Sequence, residues 1–132
     1  MKKVFYSLLF ACVYLQGCAI APTDSSGRTL TVADAGPAPT DHEASFKASI
    51  TGLLKDPESA RYRNISKPTA QVVNTVPGFM TGGVGWSMCG EVNAKNTYGG
   101  YTGFQWWWVL VNQDTLVTYQ TGDMATIICT KK

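Results

Sequence analysis

The sequence predicts an α+β domain: one N-terminal helix packed on an antiparallel sheet of about five strands, stapled by one disulfide. Three observations predict it. Phe46, Ile50, Leu53 and Leu54 fall at i, i+4, i+7 and i+8, which places them on one face of a helix. From Ala60 onward, short runs rich in Val, Thr, Ile, Trp and Tyr are separated by Gly, Pro, Asn and Asp clusters, as strands are by turns. Cys89 and Cys129 form an even pair in the part of the chain that carries these runs.

The helix is expected to open at Thr40, with Thr40 and Glu43 forming a capping box. Lys55 near its end suits the helix dipole. Asp56-Pro57 is expected to stop it, because a residue before proline avoids the α region. Strands then follow over 60–65, 71–76, 86–94, 104–111, 116–120 and 124–130. In the third, Trp86, Met88, Gly90, Val92 and Ala94 share one parity, and Cys89, Glu91 and Asn93 share the other. Asn96 to Gly103 reads as a glycine-containing turn. Asn112-Gln113-Asp114 reads as the turn of a hairpin. Such short connections favour an antiparallel meander, and a helix followed by strands gives an α+β layer arrangement.

The chain has 132 residues and a formal charge of +2. Lys2 and Lys3 precede an apolar run, Val4 to Leu15, with small residues after it. That is the pattern of a secretory signal. The run is about a dozen residues, against roughly 20 needed for a membrane-spanning helix. With the two lysines removed, the mature chain is near neutral. Neither nucleic acid nor an anionic surface finds the basic footprint it would need.

Leu15-Gln16-Gly17-Cys18 resembles the lipobox of bacterial lipoproteins, in which a leucine, a tolerant position and a small residue precede a cysteine that is acylated. The resemblance implies cleavage before Cys18 and lipid attachment at its thiol, with more than one acyl chain for stable anchoring. It also implies an address. Ala19 stands where an aspartate would favour inner-membrane retention, so the periplasmic side of the outer membrane is expected. The alternative is ordinary cleavage after Ala19-Ile20-Ala21, but Pro22 would follow that cut directly and is a poor residue for the peptidase. The expected organisation is then a signal peptide over 1–17, a lipidated flexible tether over 18–40 and a single periplasmic domain over 41–132. A flexible coil of about 22 residues has an end-to-end distance of roughly 25 Å.

On the lipoprotein resemblance, Cys12 is expected to leave with the signal and Cys18 to carry lipid. Cys89 and Cys129 remain, and in an oxidising compartment a disulfide between them is the natural reading. Two free buried thiols are the alternative. Closing a loop of about 40 residues contributes roughly 4 kcal/mol in the chain-entropy model.

Residues able to carry chemistry are few. His42 stands alone as a base and sits at the start of the helix, so a nucleophilic triad has no support. Asp114, Asp123 and Glu91 are candidates for paired-carboxylate chemistry only on paper, since both aspartates sit in turn sequences. The glycines lack the Gly-Lys-Ser/Thr of a phosphate loop. No metal set and no cofactor is expected, because Cys89, Cys129 and His42 give too few ligands. Asn64-Ile65-Ser66 fits a glycosylation sequon that means little in a bacterial exported chain.

Two stretches, within about 50–104, are more distinctive: Leu54-Lys55-Asp56-Pro57-Glu58-Ser59-Ala60-Arg61-Tyr62, and Cys89-Gly90-Glu91-Val92-Asn93-Ala94-Lys95-Asn96 running through Tyr98-Gly99-Gly100-Tyr101 to Phe104. Together they resemble a small domain found in many uncharacterised exported bacterial proteins and lipoproteins. The resemblance implies a periplasmic domain with a structural cysteine, and transfers no activity.

The aromatic residues carry the functional expectation. Successive strand residues point to opposite faces, so Trp106 and Trp108 share one face and Trp107 takes the other. Trp106 and Trp108 are assigned to the core. Tyr98, Tyr101 and Trp107 are the candidate binding surface, because exposed aromatics favour protein or glycan contacts. The expected function is that of a non-enzymatic envelope lipoprotein, held to the membrane through its N-terminal lipid, whose domain binds another envelope macromolecule. The alternatives are an accessory subunit of a secretion, pilus or other envelope assembly, and a periplasmic enzyme inhibitor.

Overall fold

The computed structural model describes residues 19–131. Cys18, the segment expected as a signal peptide (1–17) and Lys132 lie outside the described residues. The order of elements is a short 3-10 helix (Val32–Ala35), α1 (His42–Thr51), β1 (Asp56–Arg63), β2 (Thr69–Val73), β3 (Gly83–Lys95), β4 (Gln105–Asn112), β5 (Thr115–Thr121) and α2 (Gly122–Thr130).

The five strands form one antiparallel sheet. β3 is its long central strand: β1 pairs with its C-terminal half and β2 with its N-terminal half along one side, and β4 then β5 follow on the other. The β4–β5 hairpin closes through Gln113 and Asp114, both at positive φ (48° and 60°). That is the turn geometry whose twist matches a two-residue hairpin.

The expected arrangement, with an N-terminal helix as the sheet's one helical partner, needs correction. Among the described residues the fold has two α-helices, one of them following the last strand, where a strand over 124–130 was expected. Three features make this segment a helix despite its β-branched composition. Gly122, at φ 65°, breaks the extended run of β5. Ala125, Ile128 and Cys129 then recur at helical spacing: Ala125 joins Trp108 and Leu110 in one buried cluster, and Ile128 and Cys129 pack against it. Finally, β3 already has strand neighbours on both sides, so Cys129 reaches Cys89 only from above the sheet. The two sulfurs are bonded, with the Cα atoms 5.8 Å apart. Local β preference gives way to this tertiary demand.

Alternation along β4 distributes the core between the two faces. Val109 and Val111 point to the face where Phe46 and Ile50 of α1 meet Met88 and Val92. Trp108 and Leu110 point to the face covered by α2. Gly90 on β3 is what lets α1 approach: a Cβ there would lie 2.6 Å from Cζ of Phe46. The helix begins one residue later than expected. Asp41, not Thr40, caps it, accepting from the Ala44 N–H at 3.0 Å. It also ends earlier, at Thr51 with Gly52 as cap, so Leu53 lies past the helical face at 39% exposure. Asp56-Pro57 opens β1 instead, where an edge strand tolerates proline.

The segment expected as a tether runs along the sheet. The Ile20 backbone pairs with Thr75 in both directions (2.9 and 2.8 Å). Ala35 is buried, the Trp86 indole donates to the Gly36 carbonyl at 3.2 Å, and the Asn112 amide donates to the Asp34 carbonyl at 3.4 Å. Arg28 ties the segment to itself through Asp24 and Asp34. Thr31 caps its short helix through the same Asp34 carboxylate.

Candidate functional site

The turn between β3 and β4 builds the most exposed aromatic surface. Asn96 organises it: its side-chain carbonyl accepts from the N–H groups of Tyr98 (2.9 Å) and Gly100 (3.1 Å). Its own N–H donates to the Gly100 carbonyl (2.9 Å). An Asn that replaces backbone partners in this way holds a turn without any core behind it. The side chain of Tyr98 projects from the turn, and the residue is 95% exposed.

Tyr101 is fixed where Tyr98 is free. Its hydroxyl donates to the Ser59 carbonyl at 3.0 Å, and Ser59 is itself held by Asp56 and by the Lys95 N–H. Two cations lie against the Tyr101 ring, the Arg61 guanidinium at 4.9 Å and the Lys95 ammonium at 5.9 Å from the centroid. Register explains why they converge. Arg61 pairs with Asn93, two residues from Lys95 on β3, so both cations rise from the same face of the sheet. Among the described residues, neither has a carboxylate within ion-pair distance.

Two residues along β1, on the same face, the charges are balanced. Arg63 lies 4.0 Å from the Phe104 centroid and forms a two-pronged pair with Glu91 (3.1 and 2.9 Å). Asn64 adds a third donor at 2.6 Å. The Arg63 hydrogen bonds, supported by Asn64, hold the Glu91 carboxyl below its ordinary value against the opposing effect of burial. Beside them, Asn93 carries a buried side-chain oxygen without a hydrogen-bond partner among the described residues.

The structure brings two of the three sequence-predicted surface residues together and separates the third. Tyr98 and Tyr101 share the β3–β4 turn. Trp107 is half-buried on the opposite, α1 face of the sheet, stacked on Tyr119 with centroids 5.9 Å apart. Trp108 is buried and Trp106 half-buried under α2. Arg61 and Lys95 are the members that sequence reasoning missed. Their spacing of 34 residues hides a proximity that only the β1–β3 register creates. His42 is the first residue of α1, and Asp114 accepts from the Ser45 hydroxyl in the hairpin turn (3.3 Å). Among the described residues, no group of three or more His, Cys, Asp or Glu side chains could hold a metal ion.

Two depressions accompany this surface. An open, mostly apolar cleft of about 600 Å³ separates the Pro37–Pro39 segment from α1 and Trp86. A shallower groove of about 480 Å³ runs along β5, walled by Phe79, Met80 and Thr81. Neither gathers the convergent polar side chains of a catalytic centre. Comparison with known proteins gives no match: no family model, no curated protein and no solved structure matches the chain.

Proposed function

We propose that this protein is an exported lipoprotein, acylated at Cys18 on the periplasmic side of the outer membrane, whose domain is a non-enzymatic binding module for another envelope macromolecule. The Cys89–Cys129 disulfide supports an oxidising workplace. The observation that carries the binding role is the β3–β4 turn. There a 95%-exposed Tyr98 stands beside Tyr101, whose ring is flanked by two cations with no acidic partner among the described residues. A tyrosine in that position adds contact area with few rotatable bonds to freeze. The unpaired Arg61 and Lys95 favour an acidic patch on the partner, chiefly through encounter rate and orientation.

The test is crosslinking and mild-detergent pull-down from native membranes, with the parent chain and with Tyr98→Ala combined with Arg61→Ala. Tyr98 has no core contact and Arg61 lies on an exposed edge, so melting temperature should be unchanged while partner capture falls at least about tenfold, the loss of about 1.4 kcal/mol. Undiminished capture by the double variant would remove this turn from the binding role.

A second reading, an accessory subunit of an envelope assembly, is favoured by β5. β5 is an edge strand whose seven residues, Thr115 to Thr121, include no charge, proline or glycine. Edges of that kind are templates for an added strand. On the opposite side, the edge formed by β1 is blunted by Pro57, a register shift and charged side chains, and the rest of that side is the shorter, five-residue β2. A stoichiometric complex that survives the Tyr98/Arg61 change and is lost on Thr118→Pro would establish the subunit role over the module.

A further inference from the structure

We propose that the domain rests directly on the bilayer, with Ile20, Val76 and Phe79 forming an apolar foot that enters the lipid interface beside the acylated cysteine. This inference rests on lipid attachment at Cys18.

The anchor point is fixed by the chain itself. Ile20 is held to Thr75 by two backbone hydrogen bonds. Only Ala19 separates it from position 18, and two Cα-to-Cα steps reach at most about 7 Å. Lipid at Cys18 would therefore enter the membrane within that distance of Ile20, which is bridged to the β2–β3 loop, not at the end of a long coil.

The loop is suited to such a place. Residues 74–83 read Asn-Thr-Val-Pro-Gly-Phe-Met-Thr-Gly-Gly, with no charged side chain. Ile20, Val76 and Phe79 are 55%, 40% and 52% exposed. Val76 and Phe79 stand on this loop, and Ile20 on the residue bridged to it at Thr75. The backbone is also prepared. Val76 donates to the Met80 carbonyl at 2.8 Å, Phe79 to the Val76 carbonyl at 3.0 Å, and Gly82 to the Thr75 hydroxyl at 2.9 Å. Polar backbone groups satisfied within the loop lower the cost of leaving water. Gly82 permits this closure, since a Cβ there would collide with the backbone at Thr75. The cations flanking Tyr101 sit at the other end of β3, and Arg28, in the same N-terminal segment as Ile20, is paired with Asp24 and Asp34.

The experiment uses the mature acylated chain. With Cys18 acylated and Cys89 bonded to Cys129, a single added cysteine is uniquely available for an environment-sensitive fluorophore. Phe79→Cys and, separately, Tyr98→Cys are labelled and reconstituted into phosphatidylethanolamine–phosphatidylglycerol vesicles, and the intact mass is recorded first. The label at 79 should shift to the blue and lose about half its emission to a shallow lipid-borne nitroxide, as for a group about 5–10 Å inside the interface. The label at 98 should remain aqueous. A label at 79 as aqueous as that at 98, on protein carrying the acyl mass, overturns the foot while leaving the anchor intact. A mature chain without acyl mass overturns both. To confirm that the fluorophore is not itself driving insertion, Val76→Asp in the Phe79→Cys background should restore aqueous emission.

Discussion

The contact between Gly90 and Phe46 allows a prediction whose size follows from geometry. A methyl group at Gly90 would lie 2.6 and 2.8 Å from two ring carbons of Phe46 and 3.2 Å from Cγ1 of Ile65. Phe46 is fully buried, so its ring has no free volume to retreat into. Overpacking of this kind costs about 1–3 kcal/mol. Replacing a strand glycine by alanine returns about 0.5–1 kcal/mol of backbone entropy. The net expectation for Gly90→Ala is a loss of about 1–2 kcal/mol, a fall in melting temperature of about 5–15 °C for a domain of this size. The contact also predicts rescue. Phe46→Leu removes the colliding ring carbons at a cost of its own of about 1 kcal/mol. The double variant should be more stable than the sum of the two single losses implies, by about 1 kcal/mol or more. Thermal unfolding followed by circular dichroism measures all three. Additive losses, or a Gly90→Ala variant as stable as the parent, would refute the claim that this missing side chain sets the seat of α1.

Two further outcomes follow from features at the far side of the sheet. Replacing Cys89 and Cys129 by alanine opens a loop of 40 residues, and the chain-entropy model puts the loss at about 4 kcal/mol. Amide exchange should show α2 losing protection first, because Ala125 is its one fully buried side chain; a protected α2 in the alanine double variant would contradict this. Glu91 gives a pH dependence of defined sign. Its carboxyl titrates below the ordinary glutamate value when folded, so the unfolded chain takes up the proton first as pH falls. The stability that Glu91 contributes is therefore complete above that ordinary value and is lost as pH drops through the folded one. Chemical denaturation between neutrality and pH 3 should show a shallower acid-side decline for Glu91→Gln than for the parent. Parallel declines would show that the Arg63–Glu91 pair has no such role.

Much of the sheet was legible because period-two alternation is a direct imprint of a half-buried strand. The parity of Trp86, Met88 and Val92 against Cys89 and Glu91 is the division between the two faces, and Asn112-Gln113-Asp114 is the hairpin turn. The disulfide was legible from cysteine count once the first two cysteines were assigned to the leader and the lipid. The last helix was not. Its Thr and Ile residues carry strand preference, while the i, i+3, i+4 recurrence of Ala125, Ile128 and Cys129 is too short to stand out from that background. Docking of the 19–36 segment was equally hidden. Proline, serine and glycine describe a chain without its own core, yet Ala35 and the backbone around it use the core of the sheet. At the candidate site the exposed tyrosines were readable as turn residues. The cation pair was not, because near-neutral net charge masks local concentration and register is a property of strands already paired.

The length of β3 has a consequence for height. Thirteen residues at roughly 3.3 Å per step make a rod of up to about 40 Å, with Thr75 and Ile20 beyond its first residue and the Tyr98 turn beyond its last. Under the anchor proposed at Cys18, that rod works as a gauge, setting how far above the lipid headgroups the aromatic tip operates. Such a gauge can be recut only in even increments. Inserting one residue would turn every side chain beyond it to the wrong face, separating Cys89 from Cys129 or Glu91 from Arg63, whereas two residues, matched by two in the strands paired there, would raise the tip by about 7 Å and keep each side chain on its face. The reach of this protein is thus quantised by the pleat of a single strand.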